Sequence, residues 1–247
     1  MALVEPVKQA PRNKQLFLDS ANLDDIRSII GNDAITGVTT NPSLMAKEEK
    51  GPYADKLKEI YDVLWKSVRF GQKRHLSVEA ISLDPKEILF QAKALWDRFG
   101  KNPNLELYVK VPVTFENLSV ITELSRGNHI AVNATCCMTA LQAKMASDAG
   151  AKIVSFFYNR MKDWTNDLPQ VRHNADVEIR RYCSLRSTDD AQIICGSIRT
   201  PEDVYDCWSA GADIVTAPNK VIREMLVHPK TDEAIRQFQS EIEAWQS

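Results

Sequence analysis

Short apolar runs alternate with longer segments of helical periodicity along almost the whole chain. In the longer segments, apolar residues recur every three or four positions, as Leu57, Ile60 and Leu64 do, which is typical of an amphipathic helix. The short runs are rich in β-branched and aliphatic residues and predict eight strands. These runs are residues 16–19, 35–40, 76–80, 107–113, 129–133, 152–157, 192–197 and 213–217. A strand followed by a helix, repeated in this way, predicts a parallel sheet covered by helices.

The length of the chain favours one architecture for this sheet. Eight strand–helix units within 247 residues are the expected content of a single (β/α)8 TIM barrel, an α/β fold. We predict that the barrel spans residues 15–247 and that residues 1–14 form a flexible polar lead-in. A doubly wound open sheet is the alternative. The sequence has neither the G-x-G-x-x-G nor the P-loop pattern that would support a nucleotide-binding version of it.

Local signals predict where several elements begin and end. Residues 84–87 and 200–203 each place a capping residue before Pro at the first helical position. Gly211 predicts the end of the helix that residues 200–203 open. Asn-Pro-Ser at residues 41–43 predicts a turn after the second strand. Residues 158–170 are polar and predict an irregular stretch after the sixth strand.

Composition and charge exclude several function classes. The chain is 44% hydrophobic and 26% charged with a net charge of −2, so nothing favours a nucleic acid or an anionic membrane as partner. No apolar run has membrane-spanning length, and the N-terminus lacks the apolar core of a signal peptide. The cysteine count is odd and shows no C-x-x-C spacing, which argues against a disulfide framework or a zinc site. We therefore expect reduced thiols and a cytoplasmic protein. The cysteines are Cys136, Cys137, Cys183, Cys195 and Cys207.

One amine interrupts the fourth predicted strand. Lys110 lies in the apolar run of residues 107–113. A buried ammonium is costly, so a lysine there tends to lose its proton, and a neutral amine can form a Schiff base with a carbonyl substrate. The alternative is a lysine on an edge strand whose long stem carries the charge to water. This segment alone leaves both interpretations open.

Each of the remaining predicted strands also ends in polar side chains. In a (β/α)8 barrel the active site lies at the C-terminal ends of the strands, so these residues are the site candidates. Parallel strands are normally apolar throughout, so the charges at Glu79 and Lys110 require a partner or a function. Structural alternatives stay open for Asp19, as a helix cap, and for Arg160, as part of a surface ion pair. The candidates are Asp19, Thr39, Thr40, Asn41, Glu79, Lys110, Asn133, Thr135, Ser155, Arg160, Ser197, Arg199 and Thr216.

Five short motifs, in a fixed order along the chain, resemble those of one enzyme family. They are Gly-Val-Thr-Thr-Asn-Pro-Ser at residues 37–43, Val-Lys-Val-Pro at 109–112, Asn-Ala-Thr at 133–135, Ser-Phe-Phe-Tyr-Asn-Arg at 155–160 followed by Asp163 and Trp164, and Gly-Ser-Ile-Arg at 196–199. The chain resembles the transaldolases, in particular the small-subunit group that includes the fructose 6-phosphate aldolases. The resemblance extends from about residue 15 to the end.

The resemblance implies catalytic roles for four residues. Lys110 would form an imine with a ketose phosphate. Asp19 would take the proton of the C4 hydroxyl when the carbon–carbon bond breaks. Glu79 and Thr135 would hold a catalytic water. The family needs no metal and no cofactor, because an iminium is itself an electron sink.

The resemblance also implies how the sugar phosphate binds. Asn41, Asn133 and Ser155 would bind the dihydroxyacetone part, and Arg160, Ser197 and Arg199 would hold the phosphate, for which the planar guanidinium is well suited. The complete set of implied binding residues is Thr39, Asn41, Asn133, Ser155, Phe157, Arg160, Ser197 and Arg199.

Two positions favour transfer over release within this family. The resembling aldolases, which release dihydroxyacetone, have Gln and Tyr where this chain has Glu79 and Phe157. We therefore predict a transaldolase of the pentose phosphate pathway, with fructose 6-phosphate or sedoheptulose 7-phosphate as donor. A fructose 6-phosphate aldolase-like lyase and a transaldolase of a specialised sugar pathway remain alternatives, the second because residues 165–187 are unusually charged.

Two further alternatives have weaker support. A non-catalytic sugar-phosphate binder predicts the loss of the lysine or the acids, and none is lost. An aldolase of the deoxyribose-phosphate type has its lysine on the sixth strand, where this chain has Ser155. Relatives often assemble as pentamers or decamers through the C-terminal helix. Here Ile235, Phe238 and Ile242 form an apolar stripe that fits either such a homo-oligomer contact or packing on its own barrel.

Overall fold

Eight parallel strands close into a barrel in the computed structural model, which describes residues 13–69, 71–167 and 174–246. Each strand pairs with the next along the chain, and the last pairs with the first. The single (β/α)8 barrel is thus confirmed, and a doubly wound sheet is excluded. The strands are β1 Gln15–Asp19, β2 Ile35–Thr39, β3 Arg74–Glu79, β4 Leu105–Pro112, β5 Val132–Cys137, β6 Ile153–Phe157, β7 Gln192–Gly196 and β8 Ile214–Ala217.

Helices follow the strands around the outside of the barrel. They are α1 Leu23–Ile29, α2 Pro42–Met45, α3 Tyr53–Ser67, α4 Pro85–Phe99, α5 Asn117–Thr122, α6 Ala140–Asp148, α7 Tyr158–Asp167, α8 Ala175–Leu185, α9 Pro201–Ala210, α10 Asn219–Glu224 and α11 Pro229–Gln246. A π-helical turn, Glu123–Gly127, continues α5. Among the described residues, no helix is both long enough and apolar enough to cross a membrane.

Side-chain alternation along the strands produces two apolar layers. Outward-facing residues such as Leu18, Val78 and Val109 are fully buried against the helices. A smaller cluster fills the barrel interior and comprises Phe17, Ile153, Ile194 and Ile214, with Tyr108 packed against it. These inward positions come two or more residues before the polar strand ends. The polar residues at the strand ends therefore lie next to an apolar layer that fills the barrel interior.

The predicted caps are present. Thr200 and Asp203 form a capping box at the start of α9, and Gly211 ends that helix in the left-handed conformation with φ 116°. Asp84 accepts a hydrogen bond from the Lys86 backbone N–H at 3.0 Å at the start of α4. Polar residues near Pro thus mark helix starts correctly in this chain.

Sequence-based predictions are wrong in three places. Residues 41–43 are not only a turn, because Asn41 caps the short helix α2 with Pro42 at its first position. The stretch predicted to be irregular after the sixth strand contains α7, of which Tyr158 and Met161 are buried. The fifth strand spans Val132–Cys137 rather than residues 129–133, and the φ of 56° at His129 lies outside the extended region of a regular strand.

Part of the predicted organisation lies outside the described residues. Most of the predicted lead-in, residues 1–12, and residues 168–173 of the charged stretch that follows the sixth strand are not described. Within the described chain, Lys14 donates a hydrogen bond to the Ala212 carbonyl at 2.6 Å next to the start of β1.

Candidate active site

Lys110 and Glu79 form a buried pair between adjacent strands. Parallel pairing sets Glu79 of β3 directly beside Lys110 of β4. Lys110 Nζ donates to Glu79 Oε2 at 2.8 Å and to the Thr40 carbonyl at 2.9 Å. Lys110 is 5% exposed and Glu79 is 8% exposed. A closed barrel has no edge strand, so an edge lysine reaching out to solvent is excluded.

Asp19 ends β1 and faces the same interior. Thr39 donates its hydroxyl proton to Asp19 Oδ1 at 2.8 Å, and its oxygen lies 2.7 Å from that of Thr216. Burial raises the pKa of Asp19, while the Thr39 hydrogen bond and the charge of Lys110 oppose the rise. The helix-cap alternative is wrong, because Asn22 caps α1.

Asn41 lies where β2 leaves the barrel. Its side-chain oxygen accepts the Leu44 backbone N–H at 3.0 Å, which caps α2 and fixes the carboxamide at the cavity wall. With the oxygen engaged, the amide nitrogen is the group that Asn41 can offer to a ligand.

Asn133 and Ser155 lie side by side on β5 and β6. Ser155 donates its hydroxyl proton to Asn133 Oδ1 at 2.7 Å, and Asn133 Nδ2 donates to Ser77 Oγ at 3.1 Å. Ser77 Oγ lies 2.6 Å from His75 Nε2. The sequence predicted the first two residues but missed Ser77 and His75, because a serine and a histidine within a strand carry no distinguishing signal.

A bulge in β5 holds Thr135 and Cys136. The pairing of β5 with β6 shifts register between Ala134 and Cys137, and Cys136 has φ 64°. Thr135 is fully buried, and among the described residues its hydroxyl has no hydrogen-bond partner of normal geometry, although the Cys136 thiol is its neighbour. A buried hydroxyl in this state is costly, so it is available to a ligand or a water.

The thiol of Cys136 also faces the cavity. Desolvation by burial raises the pKa of the thiol, and the charge of Glu79 raises it further. The thiol is therefore neutral at neutral pH. Cys136 was not predicted as a site residue. It belongs to the adjacent pair Cys136 and Cys137, which follows the Asn-Ala-Thr motif.

Arg160 and Ser197 lie at the mouth of the barrel. The Arg160 guanidinium carbon lies 4.9 Å from the centre of the Phe157 ring, and Arg160 forms no ion pair with another described residue. Ser197 follows β7 with φ 61°, and Asn159 Nδ2 holds its carbonyl at 2.8 Å. Within the described part of the chain, the surface ion-pair alternative for Arg160 is therefore wrong, and its charge is available to an anion.

Arg199 is separate from this group. Its guanidinium makes two bonds to the Asp163 carboxylate, at 2.7 and 2.5 Å. Both side chains are about half exposed, which makes the pair weak and exchangeable. The sequence could not show this, because nothing in the motif pairs Arg199 with Asp163.

One cavity of about 350 Å³ joins these residues. All predicted catalytic and binding residues except Arg199 line this central cavity. Lining residues that were not predicted are Pro42, Ser43, Leu44, Cys136, Ile194 and Gly196. In the part of the chain that the structure describes, no group of three or more His, Cys, Asp or Glu side chains could hold a metal ion.

Tyr53 contacts the strand end that carries Glu79. Its hydroxyl donates to the Glu79 carbonyl at 2.9 Å, and burial raises its pKa, so it remains a proton donor at neutral pH. Tyr53 thereby fixes the end of β3 where Glu79 meets Lys110. Tyr53 was not singled out from the sequence.

Comparison with known proteins agrees with this geometry. The family model described as transaldolase/fructose-6-phosphate aldolase matches residues 16–247. A protein named probable transaldolase from Roseiflexus castenholzii is 36% identical over 234 residues, which cover 94% of this chain and 98% of that protein. Proteins with the same name from Symbiobacterium thermophilum and Clostridioides difficile are 35% and 36% identical, and each match covers 93% of this chain and 97% of the relative. The chain therefore belongs to the transaldolase and fructose 6-phosphate aldolase family.

Proposed function

We propose that this protein is a transaldolase that transfers a dihydroxyacetone unit between sugar phosphates through a Schiff base on Lys110. The observation that carries the proposal is the buried contact of Lys110 with Glu79 at 2.8 Å, in a cavity that Asp19 also lines. Fructose 6-phosphate or sedoheptulose 7-phosphate is the proposed donor and an aldose phosphate the acceptor. This reaction belongs to the pentose phosphate pathway, in the cytoplasm.

Lys110 supplies the nucleophile for the first step. It gives up a proton, for which Glu79 at 2.8 Å is the nearest acceptor, and attacks the carbonyl carbon C2 of the donor. The carbinolamine then loses water and becomes an iminium. When the bond between C3 and C4 breaks, the iminium takes up its electron pair and becomes an enamine.

Asp19 moves the proton that bond cleavage requires. It takes the proton of the C4 hydroxyl as the aldose leaves, and it returns that proton when the enamine attacks the aldehyde carbon of the acceptor. Its raised pKa suits both directions, since the carboxyl must be a base in one and an acid in the other. The hydroxyl of Thr39 stabilises the ionised form.

Glu79 and Thr135 are the proposed holders of the water that serves the carbinolamine. The Thr135 hydroxyl is buried without a partner of normal geometry among the described residues, and Glu79 supplies a carboxylate in the same cavity. A water between them would satisfy the hydroxyl and have a short route to the imine carbon.

The phosphate is proposed to bind first to Arg160 and Ser197. Both line the cavity mouth, and the Arg160 charge has no carboxylate partner among the described residues. Arg199 is proposed to join only by leaving Asp163. That exchange is cheap because the pair is exposed.

A donor and acceptor panel tests the proposed function. Fructose 6-phosphate and sedoheptulose 7-phosphate are each incubated with erythrose 4-phosphate or glyceraldehyde 3-phosphate, and both transfer product and free dihydroxyacetone are quantified. We expect transfer product from wild type and none from Lys110→Met. Free dihydroxyacetone as the main product would instead support the aldolase-like alternative, and no reaction with any pair would favour a specialised substrate.

The ratio of dihydroxyacetone release to transfer is expected to depend on Glu79 and Phe157. The double variant Glu79→Gln, Phe157→Tyr adds a phenolic proton donor near the bound water and should raise the release-to-transfer ratio about tenfold, as one added hydrogen bond in the transition state can. The variant Glu79→Gln, Phe157→Leu has the same amide but no hydroxyl and should leave the ratio unchanged. An unchanged ratio in Glu79→Gln, Phe157→Tyr would contradict the proposed water path.

A further inference from the structure

A row of four side chains crosses the barrel interior behind the reacting groups. Ser155 Oγ lies 2.7 Å from Asn133 Oδ1, Asn133 Nδ2 lies 3.1 Å from Ser77 Oγ, and Ser77 Oγ lies 2.6 Å from His75 Nε2. All four residues are buried. Of the four, only Asn133 and Ser155 line the central cavity, so the hydrogen bond of His75 reaches a ligand through Ser77 and Asn133.

Each hydroxyl in the row has one proton, which gives the row a direction. Ser155 donates to the Asn133 oxygen, and Asn133 donates from its nitrogen to Ser77. Ser77 therefore directs its own proton to His75 Nε2, which must accept it. The opposite direction would need a proton on His75 Nε2 and a flipped Asn133 amide, whereas the structure has the Asn133 nitrogen beside Ser77 and its oxygen beside Ser155. The tautomer of His75 thus selects between two arrangements of Asn133.

The surroundings of His75 keep its ring neutral and in place. The ring stacks on Tyr108, with centroids 4.4 Å apart, and lies 4.6 Å from the ring of Phe17. Burial lowers the pKa of His75 to about 3, so at neutral pH one ring nitrogen is available as an acceptor. His75 Cβ also lies against Gly37, where an added Cβ would come within 2.7 Å.

We propose that His75, as the neutral tautomer with its proton on Nδ1, is a positioning residue that orients Asn133 and Ser155 for the ketose donor. In this arrangement Asn133 keeps one N–H for a ligand in the cavity, and Ser155 has its proton engaged and accepts from a ligand hydroxyl. The site thus presents one donor and one acceptor side by side to adjacent oxygens of the dihydroxyacetone part. This inference rests on the proposed function, which gives Asn133 and Ser155 that part of the substrate.

A double-mutant cycle tests the positioning role. His75→Phe keeps a ring between Tyr108 and Phe17 but removes the acceptor, and Ser77→Ala removes the link to Asn133. We expect each to raise KM for the ketose donor about five- to tenfold, with KM for the aldose acceptor unchanged. The double variant should match Ser77→Ala alone, because His75 acts only through Ser77. An unchanged donor KM in folded His75→Phe, or additive effects, would overturn the proposal.

The tautomer can be measured directly on the wild-type protein. Long-range ¹H–¹⁵N correlation spectra distinguish a protonated ring nitrogen from an unprotonated one, and His75→Phe identifies the resonance to follow. We expect the proton on Nδ1, and a proton on Nε2 overturns the inference. Where His75→Phe fails to fold, Gln substitutions of the other three histidines, His129, His173 and His228, assign the His75 resonances by elimination. This spectrum needs no substrate. A wild-type protein that transfers no dihydroxyacetone would refute the proposed function without deciding the tautomer, so the two failures are distinct.

Discussion

At Asp19, burial and hydrogen bonding act on one carboxyl in opposite directions. Desolvation favours the protonated form and raises the pKa, whereas the hydrogen bond from Thr39 at 2.8 Å favours the ionised form. A base must be ionised to take a proton, so activity should fall as pH drops through the raised pKa of Asp19. The Thr39 bond keeps that pKa lower than burial alone would set it.

Thr39→Val should therefore move the acid limb of the pH profile. The substitution removes the hydrogen bond to the ionised form, so the pKa of Asp19 rises further and kcat/KM begins to fall at a higher pH. Thr39→Ser retains the hydroxyl and should keep the wild-type profile. The measurement is kcat/KM against pH for all three proteins. An acid limb that stays in place in Thr39→Val would rule out Asp19 as the group that titrates.

Single residues differ in how far the sequence identifies them. Lys110 and Glu79 are found because a charge within an apolar parallel strand is costly and needs a reason. Arg199 follows from its motif, yet its contact with Asp163 depends on the path of α7. Ser77 has no such signal, because strand serines are common, and only its distance from Asn133 identifies it.

At the scale of elements, the connection from β7 to α9 depends on Asp203. Its carboxylate accepts the backbone N–H groups of Arg199 and Thr200 at 2.9 and 3.0 Å and the Asn159 amide at 2.7 Å. Burial alone would raise its pKa, but these hydrogen bonds outweigh burial and the pKa of Asp203 is lowered. Asn159 in turn holds Ser197, so Asp203 fixes the loop that is proposed to bind phosphate.

Asp203→Asn should destabilise the fold in a pH-dependent manner. A lowered pKa means that Asp203 contributes stability above its unfolded pKa of about 3.9 and loses it as pH falls through the folded value. We expect a loss of about 1–3 kcal/mol in the free energy of unfolding at pH 7, and a smaller loss below about pH 4. Urea unfolding across this range measures it. The exposed neighbour Glu202 is the control, and an Asp203→Asn loss no larger than that of Glu202→Gln would refute this role.

Element boundaries were predicted well where capping chemistry is explicit and poorly where the backbone is unusual. The capping box at Thr200 predicted the start of α9. The start of β5 was missed because His129 takes a positive φ, which a histidine does not reveal in sequence. Helix α7 was missed because its polar composition conceals a buried face that includes Tyr158.

At the scale of the whole molecule, α11 presents an exposed apolar stripe. None of its residues is buried, and Ile235, Phe238, Ile242 and Trp245 are 58%, 64%, 47% and 80% exposed. Packing of this apolar stripe on its own barrel, one of the two sequence-based alternatives, is therefore wrong. We propose the other alternative, a contact between copies of this chain, because exposure of such a stripe to water is unfavourable.

A charge within this stripe should weaken the assembly. We expect Phe238→Glu to lower the mass measured by sedimentation velocity, because the contact would bury a carboxylate. Ser240 lies on the opposite side of α11, so Ser240→Glu is the matched control and should sediment as wild type. A wild-type protein that is monomeric at all accessible concentrations would contradict the proposed contact.

The barrel as a whole was the most predictable feature. Eight strand runs separated by helical periodicity admit few topologies, and the parallel pairing of consecutive strands followed. The order of the polar strand ends then placed Asp19, Glu79 and Lys110 in one cavity. Periodicity carries no information on whether a terminal amphipathic helix packs on its own chain, so the position of α11 had to come from the structure.

Borohydride trapping tests the central claim, imine formation at Lys110, most directly. The protein is incubated with fructose 6-phosphate and sodium borohydride, and the modified peptide is identified by mass spectrometry. Lys110→Met is the test variant. Lys152→Met, which changes an exposed lysine, is the control. We expect one reduced adduct on Lys110, present in wild type and Lys152→Met and absent from Lys110→Met. An adduct on another lysine, or no adduct from wild type that is active in transfer, would contradict Schiff-base catalysis by Lys110.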